Sequence, residues 1–172
     1  ILGPTGSGKS SLVQLLPRFY DPVAGRIELD GIDVREVDIH ELRAAVGLVF
    51  QEAFLFSGTV AENITYGNPG ISRAEVERCA TLAAAHEFVL ELPEGYETIV
   101  GERGVSLSGG QRQRLTIARA LAMDPRVLIF DDATASVDAV TEKTLFDGIR
   151  SAAEGRTTLV ISQRVTSVRW CD

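Results

Sequence analysis

Apolar residues fall along this chain in two rhythms, and the switches between them mark the elements. Residues 46–50 (Val-Gly-Leu-Val-Phe), 126–130 (Arg-Val-Leu-Ile-Phe) and 157–161 (Thr-Thr-Leu-Val-Ile) are short, nearly unbroken apolar runs, the pattern of strands buried on both faces as in parallel sheets. Residues 8–16 read as a helix ended by Pro17, residues 39–45 as a short helix and residues 140–153 as an amphipathic helix. Residues 25–31, an alternating run bounded by glycines, predict a short hairpin strand. From Thr59 to about Met123 the chain turns helical, broken by Gly67-Asn68-Pro69-Gly70 and by Pro93-Glu94-Gly95. Strands alternating with helices predict an α/β sheet. Residues 1–50 form its first part, residues 51–123 a helical insertion, and residues 124–172 its second part.

Composition narrows the function classes. A chain of 172 residues supports one sizeable core, and its net charge of -7 argues against a nucleic-acid partner, which needs a basic face to displace phosphate counterions. Cys79 and Cys171 are distant in sequence and have no metal-ligand spacing, so both are expected reduced. No run of 18 or more apolar residues occurs. The sequence opens inside a strand without an initiator Met and stops abruptly at Asp172, so the expected fold is truncated at both ends.

Three segments carry chemistry. Gly3-Pro4-Thr5-Gly6-Ser7-Gly8-Lys9-Ser10 matches G-x-x-x-x-G-K-S in full, following a strand and opening a helix. In such a loop the backbone amides wrap a β-phosphate, Lys9 brings a positive charge to the β/γ oxygens, and the Ser10 hydroxyl is a hard ligand for Mg²⁺. The apolar run at 127–130 ends on Asp131, a carboxylate placed either to hold that Mg²⁺ or simply to cap the following turn. Leu107-Ser108-Gly109-Gly110-Gln111 precedes a stretch with apolar Leu115, Ile117, Ala118 and Leu121 at helical spacing. Ser108 is thus an N-cap, and two glycines let a phosphate approach a positive helix end. Arg112 and Arg114, in the first turns, read as solvated or salt-bridged rather than catalytic, and His40 and His86 have no ligand partner at helical spacing.

In this order the phosphate loop, the LSGGQ helix and the strand ending at Asp131 resemble the nucleotide-binding domain of ATP-binding cassette (ABC) proteins over essentially the whole chain. The resemblance implies a phosphate-loop NTPase (RecA-like) core with an inserted helical subdomain. It also implies ATP and Mg²⁺ as cofactors, with each ATP held between one domain's phosphate loop and a second domain's signature at Ser108 to Gln111. Gln51 matches the glutamine that senses Mg²⁺ and water, and Asp138 a contact across the dimer. Phe54 to Ile64 resemble the exporter branch, where this region faces the coupling helices of a membrane domain on its cytoplasmic side, and Glu102-Arg103-Gly104 looks like that branch's X-loop. Phe54, Leu55 and Phe56 read equally well as plain core residues.

Two positions depart from the family pattern. Asp132 stands where the pattern has a glutamate serving as general base, and Gln163 where it has a histidine contacting the γ-phosphate. Aspartate is one methylene shorter, and glutamine can donate a hydrogen bond but cannot become a cation. A poor base and a missing histidine can slow hydrolysis by about 10²- to 10⁴-fold. Both changes resemble the degenerate half of heterodimeric exporters; the alternative is that Asp132 is an adequate base in a fully active homodimer. A DNA-repair ABC ATPase needs a long coiled coil between loop and strand, and residues 11–126 carry no heptads. A ribosome-directed ABC protein conflicts with the acidic balance. A small-molecule kinase leaves residues 107–111 unexplained.

Overall fold

The computed structural model describes residues 1–4, 6–101, 105–163, 168 and 171. Thr5 of the phosphate loop and Glu102-Arg103-Gly104 therefore lie outside the described residues. The chain runs through α1 (Lys9–Gln14), β1 (Glu28–Leu29), β2 (Ile32–Asp33), α2 (Ile39–Ala45) and β3 (Val46–Val49). It continues through β4 (Gly58–Thr59), α3 (Val60–Thr65), α4 (Arg73–Leu82), α5 (His86–Leu90), a 3₁₀ turn (Gly95–Glu97) and β5 (Ile99–Val100). The last elements are α6 (Gly109–Ala122), β6 (Val127–Asp131), α7 (Ala139–Ala153) and β7 (Thr157–Ile161).

Strands β3, β6 and β7 form a parallel sheet in that order, with Val49 opposite Phe130 and Asp131 opposite Ile161. Leu2 bridges Ser162 in parallel on the free edge of β7. All five residues of β6 are buried, which explains its lack of polar alternation. Leu128 and Phe130 point into a large apolar cluster shared with α3, α4 and α6, while Val127 and Ile129 join Val13 of α1 and Leu42 of α2 on the opposite face. The predicted α/β sheet with an inserted helical segment is present. The hairpin glycines at 25 and 31 flank β1, which pairs antiparallel with β2.

Residues 59–123 are not helical throughout. β4 pairs antiparallel with β5, each only two residues long, and periodicity has no purchase on so short a run. Local caps set the helix starts. Asp38 accepts from the amides of His40 and Glu41, Ser72 from Glu75, and Asp138 from Val140 and Thr141. Thr59 with Glu62, and Ser108 with Gln111, form reciprocal capping boxes. The helical lobe meets the sheet's own helices at Gly148 of α7, where a built Cβ would lie 2.0 Å from the Leu82 carbonyl oxygen at the end of α4. Only a residue without Cβ permits that approach.

Candidate functional site

At the carboxyl ends of the parallel strands, the position where open α/β sheets take ligands, a cavity of about 240 Å³ collects eight of the sequence-predicted residues. Gly6, Gly8, Lys9 and Ser10 line it from the loop and α1, Gln51 from the segment after β3, Asp131 and Asp132 from the end of β6, and Gln163 from beyond β7. Ser11 and Ile161 complete the wall, and neither has a sequence signal that would single it out. A larger cleft of about 710 Å³ opens at the other end of the sheet, beside Arg126, Val127 and Thr157, and contains none of these residues. Motif chemistry, not volume, marks the site.

The loop is shaped to hold an anion. Gly6 and Gly8 adopt φ of 81° and 85°, the left-handed region that glycine enters without steric cost. Gly8 is the residue preceding α1, so the first amides of that helix face the cavity without a side-chain cap. Lys9 Nζ donates to the carbonyl oxygens of Gly3 and Pro4, both at 2.8 Å, and to Ser7 Oγ at 3.3 Å. The loop folds around its own ammonium.

Asp131 is 5% exposed and ends the fully buried β6, whereas Asp132 is half-buried with φ of 49°. A left-handed non-glycine residue costs about 1 to 2 kcal/mol, and aspartate is among the residues that tolerate it. The Asp132 amide donates to the Ile161 carbonyl at 2.9 Å and its carbonyl accepts from Ala135 at 3.2 Å, fixing the backbone that aims the carboxylate. Gln163 Nε2 makes a long hydrogen bond to Asp132 Oδ2, at 3.5 Å. The two departures from the family pattern thus meet at one contact over the cavity.

Ser108, Gly109, Gly110 and Gln111 are not in that cavity. They open α6, with Ser108 and Gln111 in a reciprocal capping box: the Gln111 amide donates to Ser108 Oγ at 3.2 Å and the Ser108 amide to Gln111 Oε1 at 2.9 Å. Gly110 packs against the Ser136 carbonyl, so the segment 135–138 lies beside the helix start. Asp138, exposed, caps α7, and the backbone bond from Thr141 holds its carboxyl below the usual carboxylate range. Its capping role follows from the spacing to Val140 and Thr141.

Arg112 is exposed, in keeping with a solvated guanidinium, whereas Arg114 is half-buried. Arg112 donates to the Leu107 carbonyl, and Arg114 to the Gly110 and Ala84 carbonyls while lying 4.5 Å from the Phe88 ring centroid. Burial lowers the Arg114 pKa. They brace the helix start. His86 Nδ1 lies 2.8 Å from Tyr96 Oη, a structural pairing, and His40 is exposed. Cys79 is buried and Cys171 is exposed.

The segment after Gln51 forms neither plain core nor plain surface. Phe54 is 64% exposed and Tyr66 62%, with Phe56 between them, edge-on to Phe54 at 5.1 Å and stacked on Tyr66 at 4.0 Å. Buried Asn63 holds this patch through the Phe56 amide and carbonyl, and Arg119 of α6 donates to Asn63 and to the Phe54 carbonyl. Among the described residues no helix is long and apolar enough to cross a membrane.

Comparison with known proteins places this geometry. A family profile described as ABC transporter matches residues 1–135. The chain is 49% identical over 172 residues to the multidrug resistance protein homolog 65 of Drosophila melanogaster, covering all of this chain and 13% of that protein. It is 47% identical over 171 residues to the ATP-dependent lipid A-core flippase of Syntrophus aciditrophicus (strain SB), covering 99% of this chain and 28% of the flippase. The solved structure of a bacterial Atm1-family ABC exporter with ATP bound superposes with a TM-score of 0.91 at 48% identity, covering 97% of this chain and 29% of that one. The chain therefore spans less than a third of the length of these relatives. With the family profile over most of its length and these relatives over nearly all of it, the chain belongs to the ABC transporter family and has the ATP-binding domain fold of its exporter branch.

Proposed function

We infer that this domain binds Mg²⁺-ATP at the carboxyl ends of β3, β6 and β7, and that ATP joins it to a second ABC nucleotide-binding domain to drive export by a membrane domain. The residues fit the ligand. Gly6, Gly8 and the uncapped start of α1 offer amides, Lys9 a cation, and Ser10 with Asp131 a hydroxyl and a carboxylate. Mg²⁺ is commonly held by one or two protein oxygens plus nucleotide phosphates, and bound there it neutralises developing phosphate charge. Gln51 completes the metal and water side. Ser108, Gly109, Gly110 and Gln111 close over the nucleotide held by the partner domain, with Asp138 contacting the same interface.

The division of the chain follows this role. Residues 1–50 and 124–172 carry the nucleotide, while residues 51–123 carry the signature and the aromatic patch of Phe54, Phe56 and Tyr66 that receives the coupling helices. That docking places the domain on the cytoplasmic face of a membrane. Exporter-type relatives and the acidic charge disfavour ABC ATPases that act on DNA or ribosomes.

Our further reading is that this chain's own site hydrolyses ATP weakly. The observation that carries it is the contact between Asp132 and Gln163. A short carboxylate tied to an amide that cannot take a proton is a poor general base, while the loop and Asp131 leave binding intact. ATP here then acts mainly as a clamp, and the signature serves the partner's site. The test is single-turnover hydrolysis at this site in the assembled transporter carrying Asp132→Glu with Gln163→His. A rise of at least about tenfold is expected from restored acid–base geometry; an unchanged rate favours the fully active homodimer with Asp132 as base.

A further inference from the structure

Gln113 is a polar side chain on the buried face of α6, 2% exposed, in the company of Leu115, Ile117 and Leu121. Burying an amide is unfavourable without a partner. Its Nε2 donates to the Phe50 carbonyl at 3.0 Å, across 63 residues of sequence. Phe50 directly follows β3 and immediately precedes Gln51, which lines the phosphate cavity. From the other side the Phe50 ring stacks on Phe19, just beyond α1, with centroids 6.2 Å apart and planes 11° from parallel. The root of the Gln51 segment is thus gripped by the signature helix on its carbonyl and by the phosphate-loop lobe on its ring. Gln113 lies one turn into the helix that opens with the Ser108–Gln111 capping box.

We propose that Gln113 is a positioning residue for Gln51, making the signature helix the support that holds the metal-side glutamine over this chain's own nucleotide. The inference rests on the proposed role of Gln51 in that site. A helix that reaches one nucleotide with its first turn and steadies the other site with its second carries information between the two ATP positions in either direction. A mobile Gln51 loses reach to Mg²⁺ and water, but the loop contacts to the other phosphates do not depend on it.

The test uses the full-length protein assembled with its partner, photolabelled on this chain with azido-ATP in the presence of Mg²⁺ or of a chelator. Wild type, Gln51→Ala, Gln113→Met and the double variant are compared. Methionine keeps the length and burial of glutamine but donates no hydrogen bond. Loss of an outer-shell partner typically lowers metal affinity about 10- to 100-fold. Gln113→Met is expected to reduce the Mg²⁺-dependent gain in labelling about tenfold, to leave chelator labelling within about twofold, and to add nothing to Gln51→Ala in the double variant. Multiplicative effects, or an equal loss with and without Mg²⁺, overturn the proposal. If Gln51→Ala itself changes nothing, the proposed role of Gln51 fails instead. Should Gln113→Met not assemble, Gln113→Asn retracts the amide by one methylene with little change in polarity and is read the same way.

Discussion

Replacing Gly148 with alanine is predicted to destabilise the domain, against the ordinary preference of a helix interior. At an unconstrained helical site the change stabilises by about 1 kcal/mol, because glycine has the larger backbone entropy to lose. Gly148 is internal to α7 and has no positive φ, so this gain applies in full. Against it stands the Leu82 carbonyl, with the new Cβ 2.0 Å from its oxygen, 2.8 Å from its carbon and 3.0 Å from its Cα. All three atoms are backbone, so no rotamer change relieves the contact, and α7 and α4 must separate by roughly 1 Å along a packed interface. Overpacking costs about 1 to 3 kcal/mol, and a backbone obstacle puts this case near the upper end. The net loss is about 2 kcal/mol, which lowers the melting temperature of a domain of this size by about 4 to 8 °C. Differential scanning calorimetry of the full-length protein, with and without Mg²⁺-ATP, measures it. A higher melting temperature in Gly148→Ala would refute the close approach of the two helices.

Two further outcomes follow from buried polar groups. Asn63, 1% exposed, bonds the Phe56 amide and carbonyl, the Thr59 carbonyl and Arg119, so Asn63→Ala strands several buried partners at about 1 to 3 kcal/mol each before relaxation; a melting temperature within 2 °C or so of wild type contradicts that network. Burial pushes the Cys79 thiol from 9.0 up to about 11 and the Tyr96 phenol from 10.0 up to about 12. Their neutral forms favour the folded state, so stability is complete below about pH 9 and falls through pH 9 to 12, where the unfolded chain has released protons that the folded chain retains. Urea midpoints that stay level from pH 8 to 11, or alkylation of native Cys79 as fast as Cys171 at pH 8, contradict the burial of that thiol.

Much of the fold was legible because parallel strands leave a simple mark. Residues 127–130 contain no polar residue since both faces of β6 are covered, as its central place in the sheet requires. The pairing of β4 with β5 was not legible: two residues per strand carry no period, and their partnership depends on chain folding around α3 to α5. In the site, the phosphate loop, Asp131 and Asp132 could be placed from sequence because their spacing from strand ends fixes them. Arg112 and Arg114 could not, because a guanidinium bonded to carbonyls looks in sequence like one facing a carboxylate. Gln113 was hidden for the same reason. An amide among apolar neighbours at helical spacing shows that something is bonded there, but not that the acceptor is Phe50.

The way Lys9 is held also bears on selectivity. Among the described residues its contacts, to the Gly3 and Pro4 carbonyls and the Ser7 hydroxyl, are with neutral oxygens. A ligand competes with those contacts by exchange. A neutral sugar or base offers acceptors no better than the carbonyls it displaces and gains little, whereas a polyphosphate replaces dipoles with full negative charge. The loop therefore discriminates by the difference between two sets of acceptors, and the tie-back sets the threshold of charge a guest must bring.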